Sequence, residues 1–287
     1  WNTSAVTDMS EAFKDRSTFN EDISAWDTSS VTNMEKIFYK AAAFNQPIGA
    51  WDVSSVRRMV DMFHKASVFN QPIGDWNVSS VYSMQSMFWS ATSFNQPLGN
   101  WDVSSVKSLR STFQWARSFD QDIGGWDVSS VTNMRETFQF AHAFNQSLND
   151  WNVSSVTSLY STFRKSFSFD QDISSWNPRF DANMSQIFDE ASVLSDTNKG
   201  LIHESFSANP SWPYDWSAFV SAPPTPDGNY SSPDDHFMTP EDGHHSPDDG
   251  RESPDDLYGT PDDMHHSPDD FYQTPDTGHA TPEDGYG

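Results

Sequence analysis

Apolar residues in this chain return in a fixed order every 25 positions. Tryptophan marks the register at Trp1, Trp26, Trp51, Trp76, Trp101, Trp126, Trp151 and Trp176, with no insertion or deletion between copies. Written as a consensus, one copy reads W-[DN]-V-S-S-V-x-x-[ML]-x-x-x-F-x-x-A-x-x-F-[ND]-Q-x-[IL]-x-x. A constant period in this range is the mark of stacked repeats, each touching only its neighbours. In the copy that starts at Trp51, Trp51 and Val53 are two apart, so on a strand both point inward while Asp52 points outward. Ser54 or Ser55 then offers a helix N-cap. Val56, Met59, Phe63 and Ala66 follow at spacings of three, four and three, the stripe of a short amphipathic helix. Phe69 closes the stripe, and Asn70-Gln71-Pro72 turns the chain.

The pattern therefore predicts a strand, a capped helix of about three turns and a turn in each copy, stacked about 4.8 Å apart. The predicted fold is an α/β solenoid, a leucine-rich-repeat-like stack of eight 25-residue coils. Stacking would place Trp on Trp and Phe on Phe inside it. The eighth copy departs from the consensus, with Pro178 beside the strand and Asp181 in a valine slot, as terminal repeats do. Ser195-Asp196-Thr197-Asn198 then opens a helix expected to run through Phe206. Asn209-Pro210 stops it, and Trp212, Tyr214, Trp216 and Phe219 are expected to fold over the end. The organisation is a solenoid over 1–194, a C-terminal helical cap over 195–220, a linker over 221–224 and an extended, PPII-like tail over 225–287. No comparable cap precedes Trp1, so the expectation is either further coils or a docking face there. The whole reads as a mature or excised portion of something longer.

The tail has its own period. Ser-Pro or Thr-Pro returns every seven residues, nine times, and the prolines exclude a coiled coil. Proline and paired acids favour an extended chain of roughly 195 Å at about 3.1 Å per residue. A hydroxyl held ahead of each proline suits O-linked sugars at Thr225, Ser232, Thr239, Ser246, Ser253, Thr260, Ser267, Thr274 and Thr281. The prolines that follow are candidate hydroxyprolines: Pro226, Pro233, Pro240, Pro247, Pro254, Pro261, Pro268, Pro275 and Pro282. A bare disordered tether and a platform for proline-directed kinases are the competing readings.

Charge changes the picture next. The chain carries a net charge of −25, and 225–287 holds 17 of the 41 acids but one base, Arg251. Such a surface repels nucleic acid and anionic lipid. No apolar run reaches the roughly 20 residues of a membrane span. There are no cysteines, hence no disulfide framework or thiolate site. N-glycosylation sequons stand at Asn2, Asn77, Asn152 and Asn229, with weaker ones at Asn145 and Asn183. Outward Asp27, Asp52, Asp102 and Asp127 would form a stripe able at most to bind Ca²⁺ weakly. His244-His245 and His265-His266 are a weak signal for a transition metal. No nucleophile elbow, zinc motif or phosphate loop is present, so no enzyme and no cofactor are predicted.

The residues Trp126 to Met134 and Met59 to Gln71 carry a resemblance to a known family. They are similar to the 25-residue unit of BspA-like leucine-rich-repeat surface proteins, a unit also abundant in mycoplasma lipoproteins. The resemblance covers about residues 1–220 and not the tail. It implies extracellular or cell-surface placement, adhesive or assembly roles and no catalysis. Together with the tail it predicts an extracellular structural glycoprotein, a fibril subunit whose partners are covalent glycans and other copies met head to tail. The alternatives are a monomeric adhesin binding an extracellular ligand, and an intracellular phospho-scaffold.

Overall fold

A computed structural model describes residues 2–221. The repeat is plain in its backbone. Single residues pair in parallel at an interval of 25: Asp8 with Asn33, then Arg58, Ser83, Ser108, Asn133, Ser158 and Asn183.

The helix expected at Val56 to Ala66 is not there. This part of each coil is a run of tight turns, and the reason lies in where its amides go. An α-helix needs every N–H to reach the carbonyl four residues back. Here alternate amides leave the coil instead: Met34 N donates to Arg58 O (3.1 Å), Lys36 N to Val60 O (2.9 Å), Phe38 N to Met62 O (3.0 Å) and Lys40 N to His64 O (2.6 Å). The amides between them close three-residue turns, Ile37 N to Met34 O, Tyr39 N to Lys36 O and Ala41 N to Phe38 O. Two residues per coil take positive φ to allow this, Lys36 and Lys40 at 56° and 58°, Asp61 and Lys65 at 54° and 57°, and so on to Gln186 and Glu190. The strand expected through Trp51 and Val53 is likewise absent: these residues join no ladder and lie between two tight turns, closed by Trp51 N on Ile48 O and Val56 N on Val53 O. Ser54 caps no helix; its amide and hydroxyl both bind Asp52 Oδ1.

The apolar spacing still chose the correct face. Val56, Met59, Phe63, Ala66 and Phe69 are all fully buried. Phe38, Phe63, Phe88, Phe113, Phe138, Phe163 and Phe188 form one ladder, with neighbouring centroids such as Phe63 and Phe88 5.6 Å apart. A second ladder runs from Phe19 through Phe44 to Phe169. A third stacks Trp76, Trp101, Trp126, Trp151 and Trp176. Burying each phenylalanine ring contributes about 1.5–3 kcal/mol, and a stacked partner adds about 0.5–1.5 kcal/mol. Indole N–H groups are satisfied as well: Trp101 Nε1 donates to Ile73 O at 3.0 Å, and its counterparts do the same.

Asparagine in the F-N-Q turn joins neighbouring coils on the other side. Asn45 Oδ1 accepts from Asn70 N and Gln71 Nε2, and Asn70 Oδ1 from Asn95 N and Gln96 Nε2. Asp120 and Asp170 take the same role with a carboxylate oxygen.

Helix α1, Asp196–Phe206, follows the last coil with Ser195 as its N-cap. Asp170 fastens it, accepting from Ser195 N at 2.8 Å and Asn198 Nδ2 at 2.7 Å. Burial opposes ionisation of that carboxyl, but these hydrogen bonds outweigh it and hold it below the ordinary carboxylate range. Gly200 is required because a Cβ there would meet Phe219 O at 2.3 Å. Trp212, Tyr214 and Trp216 pack against Phe188. The Phe188 amide, whose equivalents reach the next coil, donates to the Tyr214 hydroxyl at 3.0 Å, and that hydroxyl donates to Asp189 at 2.8 Å. Burial, then the bond to Asp189, raises the Tyr214 phenol above its ordinary value.

Candidate functional site

Of the residues singled out by sequence, all nine O-glycosylation candidates, all nine candidate hydroxyprolines, Asn229 and the two histidine pairs lie outside the described residues. Asn2, Asn77 and Asn152 are exposed. Each closes a small turn through its carbonyl oxygen: Asn77 Oδ1 accepts from Ser79 N and Oγ, Asn2 Oδ1 from Ser4 N and Oγ, and Asn152 Oδ1 from Ser154 N. The amide nitrogen, the atom a glycan would need, is left out of that turn. Asn145 is committed to the coil junction, where Oδ1 accepts from Asp170 N and Gln171 Nε2. Exposed Asn183 ends the chain of bridge residues, and its Oδ1 accepts from Ser185 N.

Asp27, Asp52, Asp102 and Asp127 are exposed at equivalent positions of their coils. Each uses Oδ1 for the turn that follows, binding Ser29, Ser54, Ser104 and Ser129 respectively. Those serine hydroxyls and amides hold the four carboxyls below the ordinary range. At Asp52 the Asp27 charge pushes the other way, a sign that the stripe is mildly self-repelling. Among the described residues no group of three or more histidines, cysteines or acids is placed to hold a metal ion. No helix among them is long and apolar enough to cross a membrane.

Sequence reasoning missed a second surface. Up to Ser192, every lysine and arginine except Arg179 falls between the seventh and seventeenth residue of its coil. Aromatic rings interleave with these cations. Tyr39, His64 and Trp89 stack in a row with centroids 4.4 Å apart, and Trp115 stacks on Phe140 at 3.7 Å. Lys65 sits over Trp89, Arg117 over Trp115, Lys165 over Phe140 and Arg135 over Tyr160. His142 lies beside Phe167, its Nε2 buried without a hydrogen-bond partner among the described residues. Burial, then the Arg117 charge, lowers its tendency to protonate. The signal was available: writing the copies beneath one another puts the bases in one block. The arrangement offers charge, aromatic edges and a regular spacing, which is equipment for binding.

Two stretches, residues 1–99 and 92–201, each match a family described as a Mycoplasma protein of unknown function, DUF285. Together they span more than half of the sequence, and the chain belongs to this family. The match falls on the repeats and the start of α1, leaving the heptads outside it. No curated protein matches the chain.

Proposed function

We propose that the protein is an extracellular structural glycoprotein, a BspA-like leucine-rich-repeat solenoid carrying an extended O-glycosylated rod, and that it serves as a fibril subunit. The observation that carries the reading is the strict seven-residue return of Ser-Pro or Thr-Pro from Thr225 to Thr281. A mere tether needs a polar composition and has no use for such a register. The repeat body fits a building block: each coil is bonded to the next through backbone, asparagine and stacked rings, so its length scales with coil number. Cell-surface placement is supported by the proposed glycan chemistry and by the family resemblance. A monomeric adhesin is the second reading, favoured by the cationic and aromatic half of the coils, which is a surface equipped to meet a ligand.

Intact-mass measurement on protein from its native source tests the proposal. A mass well above 32.4 kDa that glycosidases reduce is the expected result. A bare mass, or steps of one phosphate, would refute it. Electron microscopy of the same material separates fibril from monomer.

A further inference from the structure

Charge divides unevenly around the coil. The midpoints of residues 7–17 of a copy and of residues 20–27 lie about half a circuit apart on a 25-residue loop around one core, and the two stretches come within five residues of each other only at their ends, as at Asp52 and Arg57. The first half carries the cations. In the third to fifth coils these are Arg57, Arg58, Lys65, Lys107, Arg110 and Arg117, all exposed, with Asp61 the sole acid among 57–67, 82–92 and 107–117. Asp61 is occupied by His64 at 2.9 Å. Arg58 pairs with Glu35. Arg57, Lys65, Lys107, Arg110 and Arg117 have no carboxylate partner among the described residues. Tyr82 stands exposed between Arg57 and Lys107 in the same slot of the middle coil. In a chain of net charge −25 this is a concentrated positive patch.

The opposite half is its inverse. Asp27, Asp52, Asp75, Asp102, Asp122, Asp127 and Asp150 are all exposed there. Within the coils residues 20–27 carry no lysine or arginine, and Arg179 just beyond them is paired with Asp181. Both sets of charges are borne on one stack, so they recur at the same interval, the rise from coil to coil. Two copies lying side by side with their axes parallel therefore bring acids and cations into register along their length, without adjustment of either backbone.

We propose that the cationic patch centred on Arg57, Lys107 and Arg110 is a lateral docking surface for the acidic edge of a second copy of this chain. Each copy uses one face and leaves the other free, so the contact is heterologous and extends into rows instead of closing as a dimer. Exposed ion pairs are individually weak and screened by salt. Their regular repetition supplies the avidity, and ionic strength becomes the control. This lateral contact stands apart from glycosylation and from head-to-tail assembly, and it can fail or hold independently of both.

Sedimentation velocity on the full chain tests it, at about 20 mM and about 500 mM NaCl, where the Debye length falls from about 20 Å to below 5 Å. Wild type is expected to show a concentration-dependent shift to faster-sedimenting species at low salt, lost at high salt. The variant Arg57→Glu/Lys107→Glu/Arg110→Glu loses the shift, and so does Asp75→Lys/Asp150→Lys, a pair whose side chains make no hydrogen bond among the described residues. Mixing the two variants restores it, because the reversed patch of one now meets the reversed edge of the other; misfolding cannot produce that rescue. Wild type that stays monomeric at low salt overturns the proposal, as does either variant associating alone or a mixture that stays apart. Wild type that ignores itself but shifts with polyglutamate or heparin gives the patch to a soluble polyanion and also overturns it.

Discussion

Asn70 offers a sharp test of how the coils are joined. Its Oδ1 accepts from Asn95 N at 2.9 Å and from Gln96 Nε2 at 3.0 Å, while its own amide donates to Asn45 Oδ1 at 2.9 Å. Truncation in Asn70→Ala keeps the amide and removes the acceptor. The Gln96 amide can turn to water, but the half-buried Asn95 backbone N–H is fixed and left unpaired. An orphaned donor of this kind costs about 1–3 kcal/mol, and with partial solvent access about 2 kcal/mol is expected. For about 200 ordered residues that lowers the melting temperature by roughly 4–8 °C. Asn70→Asp supplies the same oxygen, as Asp120 and Asp170 already do in their coils, and no acid stands at the equivalent position of either neighbouring coil. It should melt close to wild type at pH 7. The acid arm has a definite sign. A carboxylate that gains hydrogen bonds on folding has a depressed folded-state pKa, as Asp170 does. Its stabilisation is present above the unfolded value of about 3.9 and is lost as pH falls through the lower folded value. Asn70→Asp should therefore lose stability relative to wild type below about pH 4. Thermal melts followed by circular dichroism, comparing midpoints because repeat arrays need not be two-state, decide the matter. Equal midpoints for the alanine and aspartate variants at pH 7 would refute the acceptor argument.

Three further outcomes follow from the geometry. Ser86 has φ 53°, so Ser86→Gly should leave the melting temperature unchanged or raised, whereas a helix interior would lose about 1 kcal/mol to glycine; a drop of that size would reinstate the helix. Phe88→Ala, in the middle of a ladder at zero exposure, should cost about 3–5 kcal/mol in urea unfolding, and Phe13→Ala, half-buried in the first coil, distinctly less; similar costs would contradict the ladder account. Tyr214→Phe removes the acceptor for Phe188 N and the donor to Asp189, so hydrogen exchange at the Phe188 amide should accelerate by at least about tenfold, equivalent to about 1.4 kcal/mol, while amides of the central coils keep their rates.

The sequence announced the repeat, the inward face and the capping segment because these depend on side-chain type at fixed spacing. Tryptophan every 25 residues could be read directly, and Ser195-Asp196 marked the start of α1 through its hydroxyl. The secondary structure within the coil was misread for a physical reason. Val56, Met59, Phe63 and Ala66 have helical spacing, but the same spacing results when successive tight turns wrap a chain around a core. The deciding fact is the destination of Lys36 N and Phe38 N, which belongs to the neighbouring coil and leaves no mark on local residue type. Positive φ without glycine, as at Lys40 or Trp115, is equally silent. The cationic half escaped notice because Arg57 and Lys107 mean little singly; they form a surface only once coils are superposed.

The bonding of each coil to its immediate neighbours has a mechanical side. Under tension applied along the stack, load passes from coil to coil through Trp101 Nε1 to Ile73 O and the amide ladder beside it, a chain of near-identical links in series. Such a stack has no central keystone; it yields from a terminus, one winding at a time, and each winding pays out at most about 85 Å of slack. A molecule built this way is expected to lengthen under pulling in steps of constant size.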